Sequence, residues 1–206
     1  MLNLHVRVPL QRVLGPLGQR LARSGVNPDV ITVIGTVGVV GAALGFYPRG
    51  SLFLGSLIVT VFVLLDMVDG ALARARGITS PWGAFLDSTL DRVADAAIFS
   101  GLVWWFASGG DEPILAGVAL YCLVSGVIVS YAKARAEGLG MRCDVGLAER
   151  SERLIVILTA TGIAGLGVPF IQAIGLWLLA AAATWTVGQR FVTVYRQSHD
   201  VKGPPA

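Results

Sequence analysis

Six stretches of this chain are each apolar over nearly the length that a helix needs to cross a bilayer, about 20 residues. They run over residues 30–46, 51–68, 83–106, 113–134, 151–166 and 169–194. The composition fits them: 54% of the residues are hydrophobic and only 14% charged, where a soluble domain carries about 25% charged residues. Lipid rather than water is therefore the expected solvent. There is no internal repeat, low-complexity tract or long polar linker. The expectation is an all-α integral membrane protein made of one domain, 1–206. Within it, 1–26 form a surface arm and helix, 27–196 a six-helix bundle and 197–206 a tail.

The arm before the first stretch carries Leu10, Val13, Leu14, Leu17 and Leu21 at helical spacing, with Arg12, Gln19, Arg20 and Arg23 between them. That pattern predicts an amphipathic helix lying on the membrane surface, broken or kinked at Gly15-Pro16. The opening MLNLHVRVPLQRVLG has no long apolar core followed by a small-residue cleavage site, so no signal peptide is expected. Cys122 falls in an apolar stretch and Cys143 in a polar one, which argues against a disulfide framework.

Charge sets the expected orientation. Arg7, Arg12, Arg20 and Arg23 precede the first stretch; Arg74 and Arg76 follow the second. Lys133, Arg135, Arg142, Arg150 and Arg153 join the fourth to the fifth, and Arg190, Arg196 and Lys202 close the chain. The intervening connections hold Arg49 and the acids Asp111 and Glu112. The positive-inside bias puts both termini and every basic loop in the cytoplasm, as expected for a multi-pass protein of the plasma membrane with an even number of spans. The formal charge of +3 is then read as topology and contact with anionic lipid rather than as a nucleic-acid surface.

Five carboxylates interrupt the apolar pattern. The second stretch ends VFVLLDMVDGALARARG and the third begins WGAFLDSTLDRVADAAIF. Asp66, Asp69, Asp87, Asp91 and Asp95 thus stand at the cytoplasmic ends of apolar helices, where burial and mutual repulsion both cost free energy. Asp66 and Asp69 are three residues apart, and Asp87 and Asp91 four apart, so each pair shares a helix face. Antiparallel neighbours joined by a short connection would bring the four together. Hard oxygen donors without clustered His or Cys suit Mg²⁺ or Mn²⁺, ions that commonly bind phosphates as well. The competing reading is ion pairing with Arg74, Arg76 or Arg92. Gly70 would let a ligand approach the backbone closely, and Arg74 offers a planar fork to a phosphate oxygen. Gly83 leaves room for either a base or close helix packing.

The run Asp66-x-x-Asp69-Gly70-x-x-Ala73-Arg74, then eight residues to Gly83, three to Asp87 and three to Asp91 resembles the signature of the CDP-alcohol phosphatidyltransferases at every motif position. The six-span layout with a surface helix resembles that family too. The resemblance implies that Asp66, Asp69, Asp87 and Asp91 bind two divalent ions, Mg²⁺ or Mn²⁺, and that Asp91 is also the catalytic base. It implies that Gly70, Arg74, Ser80 and the segment Asp29-Val30-Ile31-Thr32 hold the CDP part of CDP-diacylglycerol. By itself, Asn27-Pro28-Asp29 would read only as a helix start.

The segments SYAKARAEG and GLAERSERL further resemble the actinobacterial phosphatidylinositol phosphate synthases within that family. This implies inositol phosphate as acceptor, a homodimer, and an acceptor-phosphate site made by Lys133, Arg135, Arg153 and, more remotely, Arg196, with Ser130 nearby. A basic cluster suits a phosphorylated acceptor better than free inositol or serine, but glycerol 3-phosphate would satisfy it equally. Asp95, outside the general signature, could orient a neighbour or bond the polyol. A transporter is the reading from another class. It is disfavoured because the acids stay at one end of the bundle.

Overall fold

A computed structural model describes residues 27–76 and 80–200, without the side chains of Pro28, 67–76 and Asp200. The expected surface helix at 1–26 and the tail beyond Asp200 lie outside the described residues. What is described is helical, with no strand among the described residues. The helices are α1 (Pro28–Phe46), α2 (Leu52–Arg76), α3 (Pro81–Ala107), α4 (Pro113–Gly138), α5 (Arg150–Ala164) and α6 (Ile171–Asp200), with a short 3₁₀ turn at Tyr47–Arg49.

Local chemistry explains several boundaries. The Asn27 side chain accepts the Asp29 N–H at 3.0 Å and caps α1, whose first position is Pro28. A missing N–H costs nothing there. Ser80 caps α3 in the same way, its hydroxyl accepting the Gly83 N–H at 2.9 Å ahead of Pro81. Each cap satisfies one of the amide groups that a helix start leaves open.

The principal packing pairs close a ring. Helix α1 packs on α2, α2 on α5, α5 on α6, α6 on α4, α4 on α3, and α3 on α1. Every helix contributes to one apolar core, including Val39 and Ala43 of α1, Val59 of α2, Ile98 and Leu102 of α3, Ala119 of α4, Ile157 of α5 and Leu176 of α6. Gly101 permits the α1–α3 approach. A Cβ there would stand 2.7 Å from the Ala43 carbonyl oxygen. The outward faces are apolar as well: Val37, Val61, Trp104 and Trp177 are all more than half exposed. Helices apolar on both faces belong in lipid.

Among the described residues, three helices are long and apolar enough to cross a membrane: Asp29–Arg49, Pro113–Gly138 and Ile171–His199. Leu52–Asp66 is a shorter apolar segment. Helix α3 is long, but its first half carries Asp87, Asp91, Arg92 and Asp95. Helix α5 has only 15 residues, about 22 Å at the helical rise.

Consecutive helices alternate in direction, so the start of α1, the end of α2, the start of α3, the α4–α5 connection and the end of α6 share one end of the ring. The α4–α5 connection, 139–149, is stitched along α6 at that end. Thr186 accepts the N–H groups of Leu147 and Ala148, each at 3.0 Å. Arg190, 2% exposed, donates to the carbonyls of Val145, at 3.0 Å, and Val129. Gln197 accepts the Arg142 N–H at 2.9 Å and donates to the Arg142 carbonyl at 2.6 Å. Residues 186, 190 and 197 fall on one face of a 3.6-residue helix. Gly146, at φ +137°, lies so close beneath Thr186 that a Cβ would meet its methyl at 2.4 Å. The strap ends at Arg150, where α5 begins.

Candidate active site

Asp66 reaches the shared end from α2, and Asp87 and Asp91 from the second and third turns of α3. One carboxylate oxygen from each lies within 4.8 Å of the others. The side chains of Asp66 and Asp91 are only 12% and 16% exposed, whereas Asp87 is exposed. Three oxygen donors so arranged, with no thiolate or imidazole among them, suit a hard divalent ion. Asp69, Gly70 and Arg74 belong to the same end of α2, but their side chains lie outside the described residues.

The pairing with arginines weighed from sequence is present too, in a different form. Arg150 is the arginine that enters the cluster. Its Nη1 lies 2.6 Å from Asp91 Oδ1 and 3.9 Å from Asp66 Oδ2, and its Nε donates to Asp95 Oδ1 at 3.2 Å. Arg92 Nη2 lies 3.5 Å from Asp91 Oδ2. Asp95, one turn deeper than Asp91 and itself buried, also accepts from Arg153 Nη2 at 2.6 Å. Of the two roles open to Asp95 from sequence, the geometry displays the first: it orients two guanidinium groups.

Arg153 is 2% exposed. It donates to the Ala148 carbonyl at 3.2 Å as well as to Asp95, and it lies against Gly126 of α4, where a Cβ would be 3.2 Å from its guanidinium carbon. Ser130 is one turn further along α4 and donates to the Gly126 carbonyl. Lys133 pairs with Asp144 of the strap at 2.6 Å and with Glu137 at 3.9 Å. The hydrogen bond from Lys133 holds the exposed Asp144 carboxyl below its usual titration range. Arg135 is exposed in the last turn of α4. Arg196 is exposed on α6, beside a groove that Val145, Trp185 and Val192 also line.

Of the expected nucleotide contacts, Asp29 and Ser80 stand together, on either side of Gly83. A Cβ on Gly83 would meet only the Ser80 hydroxyl, at 3.2 Å, and Asp29 Oδ1, at 3.7 Å. Val30 is half exposed on the outside of α1, and Ile31 and Thr32 are buried. Sequence reasoning counted Arg150 only in the basic cluster of the α4–α5 connection and not among the carboxylates. The available signal was its spacing: three residues before Arg153, it shares that residue's helix face. Cys122 and Cys143 are free, buried thiols.

This helical ring, with acids converging at one end, has a family. Residues 26–194 match the model of the CDP-alcohol phosphatidyltransferases. The chain belongs to that family and is a phosphotransferase. Among its relatives, the phosphatidylinositol phosphate synthase of Streptomyces avermitilis is 51% identical over 213 residues, covering 100% of this chain and 87% of the relative. That of Mycobacterium marinum is 45% identical over 194 residues, covering 92% and 82%. The crystal structure of the Mycobacterium tuberculosis phosphatidylinositol phosphate synthase with CDP-DAG bound superposes with a TM-score of 0.84 at 45% identity, covering 89% of this chain and 94% of that one. The same enzyme in complex with manganese and citrate also gives 0.84 at 45% identity, covering 88% of each chain.

Proposed function

We propose that this chain transfers the phosphatidyl group of CDP-diacylglycerol to inositol phosphate, giving phosphatidylinositol phosphate and CMP. The observation that carries the reading is the meeting of Asp66, Asp87 and Asp91 within 4.8 Å. It occurs at the bundle end that also carries Lys133, Arg135 and Arg153. Homologues that share 40–51% identity with this chain and bear the name of that synthase support the acceptor.

On this reading all six helices span the membrane as one domain, and the site and both termini face the cytoplasm. Asp66, Asp69, Asp87 and Asp91 hold Mg²⁺ or Mn²⁺, as two ions. Such ions supply positive charge opposite the pyrophosphate of the donor. Asp29, Val30, Ile31, Thr32, Gly70, Arg74 and Ser80 hold the cytidine diphosphate. Gly83 stands beside Asp29 and Ser80, and the side chain it lacks would press on the Ser80 hydroxyl. Asp91 takes the proton from the acceptor hydroxyl. That oxygen bonds to the phosphorus nearest the lipid, the pyrophosphate P–O bond breaks, and CMP leaves.

Lys133, Arg135, Arg153 and Arg196 bind the acceptor phosphate. Arg153 contributes from a fixed position set by Asp95, while Lys133 exchanges Asp144 for the phosphate. The working unit is a homodimer.

Purified enzyme given CDP-diacylglycerol and each acceptor in turn tests the reading. CMP release is expected with inositol phosphate, is lost in EDTA, and returns with added Mg²⁺ or Mn²⁺. Release with glycerol 3-phosphate alone would assign the chain to phosphatidylglycerophosphate synthesis instead.

A further inference from the structure

The carboxylate cluster already contains a cation of its own. Arg150 starts α5, which packs on α2 and α6, and its side chain reaches across the inside of the ring to α3. There it touches Asp91 and Asp95, and it comes within 4 Å of Asp66 on α2. Arg153 faces Asp95 from the other oxygen at 2.6 Å. Asp95 is therefore neutralised from below, and the Arg150 charge is directed upward onto Asp91 and Asp66. These two carboxylates belong to the trio whose oxygens converge. A divalent ion and the guanidinium must therefore share one set of negative charges, and each weakens the other's hold.

We propose that Arg150 is the internal counter-cation of the metal cluster: it keeps Asp66 and Asp91 drawn together by its own charge, and it sets the cluster's affinity for a divalent ion by competing for Asp91. The proposal rests on the metal reading above. A rigid site of several acids without such a charge would hold its ion tightly. An ion that must also meet the donor's pyrophosphate benefits from a weaker, adjustable grip, because charge brought by the substrate phosphates then completes the site.

The test uses purified full-length enzyme, with Mn²⁺ binding followed by the electron paramagnetic resonance of the free ion, and thermal unfolding recorded in EDTA and in Mn²⁺. Arg150→Gln is expected to bind Mn²⁺ about tenfold more tightly than the parent. It is also expected to unfold about 5 °C lower in EDTA and to gain more from added Mn²⁺ than the parent does. Arg150→Lys keeps the charge on a mobile stem without the planar fork, and is expected to tighten Mn²⁺ binding about threefold. It provides the measurement should the glutamine variant not fold. A residue that only shaped the cluster would, on removal, weaken binding. Unchanged or weaker Mn²⁺ affinity in the folded variants overturns the proposal. Asp87→Asn and Asp91→Asn separate this from the underlying reading. If neither lowers Mn²⁺ binding, the cluster is not the metal site and the counter-cation role falls with it; if both do, the Arg150 result stands alone.

Discussion

Asp95 and Arg153 form a pair whose side chains are only 7% and 3% exposed. Removing one partner of such a pair leaves a buried charge behind, which costs far more than the pair contributes. Arg153→Met is therefore expected to destabilise the protein by about 3 kcal/mol, because Arg150 still holds one Asp95 oxygen. Adding Asp95→Leu to it should restore part of that loss. Thermal unfolding of the two single variants and the double variant checks the sign of this coupling. On the proposed mechanism Asp91 serves chemistry rather than packing. Asp91→Asn is expected to cut CMP release by about 10²–10⁴ with the helical circular dichroism unchanged. Full turnover in that variant would remove Asp91 from the role of base.

At the scale of elements, the strap 139–149 is held to α6 by the side chains of Thr186, Arg190 and Gln197. Thr186→Val takes one acceptor away from two amide groups, at a cost of about 1–3 kcal/mol. Its expected signature is faster hydrogen exchange at Leu147 and Ala148, not across α6. Gly146→Ala should loosen the same strap from the other side, because both its backbone angle and the Thr186 methyl oppose a side chain.

The strap was not legible in the sequence. Its partners sit 38 to 55 residues away, and nothing local in Thr186 or Arg190 announces them. The helices were legible, since their apolar runs are long. Their ends were less so: the second stretch was expected to stop at 68 and the last at 194, whereas α2 continues to Arg76 and α6 to Asp200. Hydropathy reports where lipid ends, but backbone hydrogen bonds carry a helix beyond that point. The meeting of Asp66, Asp87 and Asp91 could be read from three- and four-residue spacing. The entry of Arg150 into it had only its spacing from Arg153 as a signal, because its placement depends on α5 packing between α2 and α6.

For the molecule as a whole, the proposed orientation makes opposite ends of the ring chemically distinguishable. Because Cys122 and Cys143 are both buried, a membrane-impermeant maleimide should leave the parent protein unlabelled in intact cells. Asp111→Cys, in the turn between α3 and α4, should be labelled from outside. A cysteine at Gly140 should react only after the cells are opened. Labelling in the opposite sense would reverse the orientation and separate the site from a cytoplasmic pool of CDP-lipid and acceptor.

The brevity of α5 has a consequence for the surrounding lipid. Ala148, two residues before α5 begins, hydrogen-bonds Thr186, and α6 runs on for 14 residues past Thr186, about 21 Å. Acyl chains beside α5 meet a hydrophobic wall shorter than the usual 30 Å core. On the proposed topology the leaflet must dimple there, lowering its polar surface toward Arg150 and the acids. A donor lipid diffusing into that hollow would bring its diphosphate down to the reacting groups without leaving its own leaflet. Catalysis would then respond to membrane thickness as well as to substrate concentration.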